Sequence, residues 1–273
     1  MIPARPPVTF ADYIALPGIN WSSLRNLRDG SPLHYRHALT HERPDTVALR
    51  NGRAVHTAIL EPDRIGEDLV VFPGARRAGK DWDAFEAENT GRTIVKPNEY
   101  ADIIATRDAV RGHHLAAPYL GTGVREYTIQ WTDKATGLLC KARPDWLTMS
   151  ADGLVLVDLK TARAIDEGGF GRQAQRLGYP CQLAHYAAGL AAIGLPVSKI
   201  VFVIVESKAP HDVGVLVMTD EQRKNATAEV ADLLGRVAHC HLTDQWPGRY
   251  AAESPLVLPD YLALGDATFE EEI

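Results

Sequence analysis

The first 120 residues of this 273-residue chain carry apolar side chains at helical spacing. Trp21, Leu24 and Leu27 recur every three residues behind Asn20, a residue type that commonly caps the start of a helix. Later segments carry a similar pattern: a helix over 47–60 that Pro62 ends, a short strand over 69–72 and a helix over 98–113. We therefore predict a mainly helical N-terminal part.

After residue 123 the pattern changes from helical to alternating, which is typical of strands. The predicted strands cover 124–132, 138–148, 154–159, 199–205 and 213–218, and the predicted helices cover 170–193 and 219–241. A turn over 133–137 joins the first two strands into an antiparallel pair. The sequence thus predicts an α/β fold, in which helices flank a central mixed sheet of about five strands.

The chain length fits one compact domain, since a single hydrophobic core stops growing at roughly 250 to 300 residues. We divide it by pattern into a helical part over 1–120 that packs on the core, a core over 121–245 and an irregular acidic tail over 246–273. Hydrophobic residues make up 45% of the chain and charged residues 23%, a composition that excludes intrinsic disorder.

The apolar runs of the sequence bear on membrane insertion and secretion. The longest apolar run, around 199–207, is shorter than the ~20 residues that cross a bilayer, and the first ten residues lack the apolar stretch of a signal peptide. We expect a cytoplasmic protein with no membrane contact. The three cysteines form no C-x-x-C pair and are predicted to be reduced, buried thiols: Cys140, Cys181 and Cys240.

The net charge of -6 argues only weakly against a nucleic-acid partner. A nuclease needs acidic residues around its metal ions, and a local basic lining can bind DNA on an acidic body. Arg76, Arg77 and Lys80 are candidates for such a lining, because they lie in a segment with little helical or strand pattern. A solvated loop is an equally good interpretation of the same segment.

Candidate catalytic residues lie at the ends of two neighbouring strands. Asp145 follows Pro144, and Asp158 and Lys160 lie near the end of the next strand, on one face because strand side chains alternate. Two carboxylates there can hold Mg²⁺, with the backbone carbonyl of Leu159 as a further candidate ligand, and Lys160 can orient the attacking water. A surface ion pair is the alternative, although an unpaired carboxylate in so apolar a strand would be costly.

A second polar pair lies in the helix after that strand. Gln182 and Tyr186 are four residues apart and therefore share one helical face. They could contact a phosphate or position the catalytic carboxylates. The alternative is a buried tyrosine whose hydroxyl is satisfied inside the protein.

In this order the motifs resemble the PD-(D/E)XK nucleases, and within them the exodeoxyribonuclease VIII (RecE-like) group of phage-type recombination exonucleases. The matching motifs are G-x-x-x-H at Gly52 and His56, K-x-R-P-D at 141–145, D-x-K at Asp158 and Lys160, and Q-x-x-x-Y at Gln182 and Tyr186. The resemblance implies a restriction-endonuclease-like core and His56 as an additional metal ligand.

Further site residues are attached to the same motifs. Lys141 and Arg143, the cations of K-x-R-P-D, are candidate DNA contacts. Glu126 opens the strand before the hairpin and is a candidate ligand of a second metal, or the partner of a nearby cation. The implied cofactor is Mg²⁺, for which Mn²⁺ can substitute.

The resemblance implies a DNA exonuclease that degrades linear duplexes 5′ to 3′ from their ends. It further implies a ring-shaped homo-oligomer and a single-strand annealing protein as partner. Two alternatives stay open: a structure-specific or restriction-type endonuclease of the same fold, and a non-catalytic DNA-binding module. The sequence contains no P-loop motif, so we predict no helicase or ATPase motor in this chain.

Overall fold

A mixed five-stranded sheet forms the centre of the protein, in a computed structural model that describes residues 2–6, 8–41, 46–250 and 252–255. The helices are α1 (Phe10–Ala15), α2 (Trp21–Asp29), α3 (Pro32–Ala38), α4 (Val47–Leu60), α5 (Ile65–Asp68), α6 (Lys80–Glu88), α7 (Pro97–Gly112), α8 (Ala117–Gly121), α9 (Glu167–Leu177), α10 (Tyr179–Ala192) and α11 (Asp220–Thr243). The strands are β1 (Leu69–Val71), β2 (Thr93–Val95), β3 (Val124–Arg125), β4 (Ile129–Thr132), β5 (Leu139–Ala142), β6 (Trp146–Ser150), β7 (Gly153–Ala162), β8 (Val197–Glu206) and β9 (Val213–Val217).

The central sheet has the strand order β3-β6-β7-β8-β9. Its middle pair, β7 and β8, is parallel, and the other neighbours are antiparallel. Both middle strands contain a continuous apolar run, over 154–157 and 200–205, as expected for strands that are covered on both faces. The predicted α/β fold with a central mixed sheet of about five strands is confirmed.

Side chains of β7 alternate between two hydrophobic layers. Leu154 and Leu156 pack on one face, in a cluster with residues of α2, α3, α9, α10, α11 and the β4–β5 pair. Val155, Val157 and Leu159 pack on the other face, with residues of α4, α5, α7 and α8. Asp158 and Lys160 follow the alternation of Leu154 and Leu156, so they point toward the layer that contains α10.

The long antiparallel hairpin predicted over 124–148 is divided between two sheets. Its outer ends form β3 and β6 of the central sheet, whereas β4 and β5 form a separate two-stranded sheet. The chain bends at Glu126, whose φ is 50°, yet the partner segments stay bonded, since Glu126 N donates to Asp145 O over 2.9 Å. The prediction of two uninterrupted strands was wrong because alternation continues across the bend.

The single helix predicted over 170–193 is also two helices. Gly178 separates α9 from α10 in a left-handed conformation with φ of 69°. An added Cβ at Gly178 would lie 2.5 Å from Cζ2 of Trp21 in α2. Glycine is therefore needed here both for the turn and for the close approach of α2.

Other sequence predictions can be compared directly with the structure. Asn20 caps α2 and accepts a hydrogen bond from Ser23 N, as predicted. The three cysteines are buried free thiols, also as predicted. None of the helices in the described part of the chain is long and apolar enough to cross a membrane. Most of the predicted tail over 246–273 lies outside the described residues.

Gly178→Ala is expected to lower the free energy of unfolding by about 2 kcal/mol, because it combines left-handed strain with a clash against Trp21. Urea denaturation of the purified protein measures the change. The matched control is Gly235→Ala in α11, where an added Cβ meets nothing within 4 Å. This control should gain up to about 1 kcal/mol. Equal stability of the two variants would contradict the proposed role of Gly178.

Candidate active site

The bend between the two sheets brings three potential metal ligands together. They are His56 from α4, Glu126 at the bend itself and Asp145 just before β6, and their ligand atoms lie within 4.8 Å of one another. His56 Nδ1 is 3.6 Å from Asp145 Oδ2. His56 and Asp145 therefore meet as the resemblance implied, with Glu126 as the third member of the cluster.

Asp145 is oriented by the backbone of the neighbouring strand. The amide of Leu159 in β7 donates a hydrogen bond of 3.0 Å to Asp145 Oδ2. The antiparallel register pairs Trp146 with Val157, so Asp145 and Asp158 occupy the next positions along the two strands. The pairing of the two strands therefore places Asp145 and Asp158 next to each other.

Asp158 and Lys160 form a buried ion pair, with Lys160 Nζ 2.6 Å from Asp158 Oδ2. Asp158 is only 1% exposed, and its second oxygen, Oδ1, has no hydrogen-bond partner among the described residues. Lys160 Nζ also lies 4.7 Å from the ring centroid of Tyr179, a contact that the sequence did not indicate. The predicted common face of Asp158 and Lys160 is confirmed.

Burial sets the ionisation of this group of side chains. It raises the pKa of Glu126 to about 8, assisted by the charge of Asp145, and raises the pKa of Asp158 to about 6. Burial also raises the pKa of Asp145. For His56, burial and then the charge of Lys160 lower the pKa to about 4, so its imidazole is neutral near pH 7.

Lys160 remains a cation despite its burial. Desolvation disfavours its charged form, but the carboxylates of Asp158 and Asp145 outweigh that effect and raise its pKa. A fixed ammonium beside the acidic cluster can hold an anion or a water molecule. It cannot accept a proton in this state.

Glu126 has a cationic partner in Arg143, whose Nη1 lies 3.0 Å from Glu126 Oε2. Arg125, the cation nearest in sequence, instead pairs with Asp63 over 2.8 Å. Arg143 also lines the cleft and stacks over Phe10, with its Cζ 5.6 Å from the ring centroid. Glu126 is therefore both a member of the metal-ligating cluster and an ion-pair partner.

Gln182 and Tyr186 contact each other on α10. Gln182 Nε2 donates a hydrogen bond of 2.8 Å to the hydroxyl of Tyr186. Burial raises the pKa of Tyr186 well above its usual range, so the hydroxyl stays protonated and can itself donate. Tyr186 lines the cleft. Gln182 does not line it but binds the hydroxyl of Tyr186.

The cluster opens into a cleft of ≈ 650 Å³, called here the main cleft, to which both α1 and α4 contribute. On α1, Phe10 is 54% exposed and Ile14 is 52% exposed, and both line this space. The sequence reasoning did not include α1 in the site. One usable signal was Thr9, which caps α1 and accepts a hydrogen bond from Asp12 N.

The cations predicted to contact DNA have different surroundings. Lys141 is 5% exposed, and its ammonium donates to the backbone oxygens of Tyr13, Ile14 and Leu16 over 3.1, 2.9 and 2.6 Å. Its geometry therefore supports an internal role in place of the predicted DNA contact, because those carbonyls at the end of α1 occupy its donors.

The predicted basic loop is partly internal as well. The Arg77 guanidinium donates to Glu99 Oε1 over 3.0 Å and to Ile94 O over 3.1 Å. Arg76 and Lys80 are exposed, and Lys80 begins α6. Of the three loop cations, Arg76 and Lys80 remain candidates for DNA contact.

The chemistry of the cluster fits a divalent cation. Carboxylate oxygens are the ligands that Mg²⁺ and Mn²⁺ prefer, and a neutral imidazole can complete such a site. Oδ1 of buried Asp158, which has no hydrogen-bond partner among the described residues, also fits this interpretation. The carbonyl of Leu159 stays a predicted ligand.

A family model described as "PDDEXK-like domain of unknown function (DUF3799)" matches residues 21–254. The chain belongs to this family. No protein in a search of curated proteins matches. The match covers every strand of the central sheet and all of the cluster described above, so the superfamily part of the resemblance is confirmed. The narrower assignment to the exodeoxyribonuclease VIII group stays a prediction.

One solved structure shares the fold of this chain. A crystal structure named "Putative exonuclease" from Eubacterium rectale aligns with 93% of this chain and 97% of its own, with a TM-score of 0.63 and 14% identity. At that identity the likeness shows a shared fold alone. A crystal structure of SSO0001 covers 83% of this chain and 87% of its own at 14% identity, but its TM-score of 0.30 is too low to support an argument.

In the metal-free protein, Glu126 should make stability fall as pH rises from about 6.5 to about 8, since the lowered pKa values of His56 and His185 act in the opposite direction only below about 6.5. The raised pKa of Glu126 means that the folded state binds a proton which the unfolded state has released across this interval. Glu126→Gln should flatten the profile. Thermal denaturation in EDTA at several pH values measures it, with Glu88→Gln on the exposed end of α6 as control. A Glu126→Gln profile as steep as that of wild type would contradict the assignment.

Proposed function

We propose that this protein is a metal-dependent deoxyribonuclease that hydrolyses phosphodiester bonds of DNA. The observation that carries the proposal is the joining of His56, Glu126 and Asp145 within 4.8 Å, beside the buried Asp158–Lys160 pair, at the wall of an open cleft. A structural ion-pair network alone would not require a neutral histidine among the acids. Membership of the PDDEXK-like family supports the same reaction.

Each side chain has a role that its surroundings support. His56, Glu126 and Asp145 would hold the cation, with Asp158 and the Leu159 carbonyl as further candidates. A bound divalent cation would supply Lewis acidity toward the phosphate and lower the pKa of a coordinated water. Lys160, a cation near pH 7, orients the attacking water and balances charge that develops on the phosphate. Tyr186 can donate its hydroxyl proton in a hydrogen bond to a phosphate oxygen.

The finer features of the proposal rest on the motif resemblance. We propose Mg²⁺ as the natural cofactor, with Mn²⁺ as a substitute, and linear double-stranded DNA as the substrate. Degradation would run 5′ to 3′ from duplex ends, within a ring-shaped homo-oligomer and together with a single-strand annealing protein. Arg76, Lys80 and Arg143 are the cations proposed to meet DNA. A cytoplasmic location is part of the same proposal.

A substrate panel tests the activity. Purified protein is incubated with end-labelled linear duplex, covalently closed circular duplex and single strands, with and without Mg²⁺. An exonuclease degrades the linear duplex only when Mg²⁺ is present and leaves the closed circles intact. Lys160→Ala should be inactive, while Lys134→Ala, in the exposed turn between β4 and β5, should keep the activity of wild type.

The outcomes of the panel separate the alternatives. Cleavage of closed circles would favour an endonuclease of the same fold. Binding of DNA without cleavage of any substrate would favour the non-catalytic module. Activity of Lys160→Ala equal to that of wild type would overturn the assignment of the active site.

His56→Ala should raise the Mg²⁺ concentration needed for half-maximal activity by roughly tenfold or more, since even the outer partners of metal ligands contribute that much to affinity. Titration of Mg²⁺ at saturating DNA measures the shift. His114→Ala, at an exposed histidine after α7, is the control and should titrate like wild type. An unchanged Mg²⁺ requirement in His56→Ala would assign this histidine a structural role only.

A further inference from the structure

A second cavity of ≈ 420 Å³ adjoins the main cleft. Residues of α4, α7, the end of β7 and the segment after β8 line it. Gly52 and Thr161 line both spaces, so the two cavities meet between these residues. A ligand in the main cleft can therefore continue into the second cavity without leaving the protein surface.

Gly52 keeps the junction open. It lies in α4, one helical turn before His56, and an added Cβ there would meet nothing within 4 Å. A glycine inside a helix is less favourable than alanine, and here no clash and no left-handed backbone requires it. The open space beside Gly52 leaves room for a ligand to pass between the two cavities.

Most of the charged side chains around the second cavity are paired with each other or with a neighbour, but Arg163 is not paired with any residue that the structure describes. Glu99 is paired with Arg77 over 3.0 Å, and Asp102 is paired with Lys208 over 2.6 Å. Arg163, which follows β7 directly, is exposed and makes no hydrogen bond or ion pair with the residues that the structure describes. Among the side chains that the structure describes, no carboxylate therefore neutralises the guanidinium of Arg163 at this cavity.

The neutral part of the lining is also suited to a phosphate. Thr161 and Gln173 add a hydroxyl and a carboxamide, and both groups can donate hydrogen bonds to phosphate oxygens. Because the space is continuous with the main cleft, an extended polymer fits it better than an isolated small anion. A nucleic-acid strand is such a polymer, with a negative charge at every residue.

We propose that the second cavity binds the DNA strand beyond the cleaved bond, with Arg163 on a backbone phosphate and the strand passing over Gly52. The inference rests on the proposed nuclease function and adds to it a strand-binding subsite. Arg163 and Gly52 act on binding and not on the reacting phosphate. Their variants should therefore change affinity for DNA even where no cleavage takes place.

Binding is measured by fluorescence anisotropy with a labelled oligothymidylate of about 12 nucleotides, in the range of known single-strand sites. EDTA prevents cleavage, so the measurement does not depend on nuclease activity. Arg163→Gln should weaken binding roughly tenfold at low salt and reduce the slope of log affinity against log salt by about 0.7, the value for one lost phosphate contact to a single strand. Arg223→Gln removes the same charge from α11, which packs on the opposite layer, and should bind like wild type.

Variants at Gly52 test the passage between the cavities. Gly52→Phe should weaken binding at least as much as Arg163→Gln, because its ring fills the junction. Gly52→Ala should bind within about twofold of wild type, a change far below that of a lost phosphate contact. Thermal denaturation of both variants checks that α4 still folds, since the backbone change is the same in each.

Each outcome bears on the proposal. Loss of affinity in Arg163→Gln and Gly52→Phe, with both controls unchanged, supports it even if no substrate is ever cleaved. Equal binding by Arg163→Gln and Arg223→Gln overturns it, and so does undetectable binding by wild type. If inorganic phosphate at millimolar concentration displaced the oligonucleotide from wild type and Arg163→Gln equally, the assignment of Arg163 to a phosphate would also fail.

Discussion

The ion pair of Asp158 and Lys160 is almost entirely removed from water. The side chains around it include further carboxylates. Three carboxylates, including Glu126 and Asp145, here face two cations, Lys160 and Arg143. Transfer of such charges into the protein costs several kcal/mol per ion unless partners compensate. Burial raises the pKa values of all three acids, and the charge of Asp145 adds to this effect on Glu126 and Asp158. A divalent cation at this position would relieve both the repulsion and the burial cost.

The bend in the hairpin is what makes this arrangement possible. A regular antiparallel pair would keep 124–132 and 138–148 in one flat ribbon, with side chains alternating between two faces. The left-handed backbone at Glu126 turns the ribbon, while the hydrogen bond from Glu126 N to Asp145 O keeps the two segments in register. The two carboxylates therefore share one side of the bend. Glu126 is a non-glycine residue in a left-handed conformation, and such strain is typical of active sites, where it is kept because it positions side chains.

The parts of the site that follow from local periodicity could be predicted from the sequence. Asp158 and Lys160 share a face because strand alternation requires it, and the range of the His56 helix follows from its apolar spacing and Pro62. The proximity of Glu126 to Asp145 could not be predicted, since it depends on a bend that alternation does not reveal. The internal role of Lys141 could not be predicted from local patterns. Its three carbonyl partners belong to residues more than 120 positions earlier in the chain.

The lysine and arginine of the K-x-R-P-D segment hold one wall of the main cleft in place. Lys141 holds the carbonyls at the end of α1, and Arg143 Nη2 donates to Val8 O over 3.4 Å just before that helix. Lys141, in β5, and Arg143, just after it, both donate to backbone oxygens of one N-terminal segment. That segment carries Phe10, whose ring lies under Arg143 at the wall of the main cleft. One short motif therefore supplies both the acidic residue of the cluster and the basic residues that hold the wall beside it, which ties the geometry of the site to the position of α1.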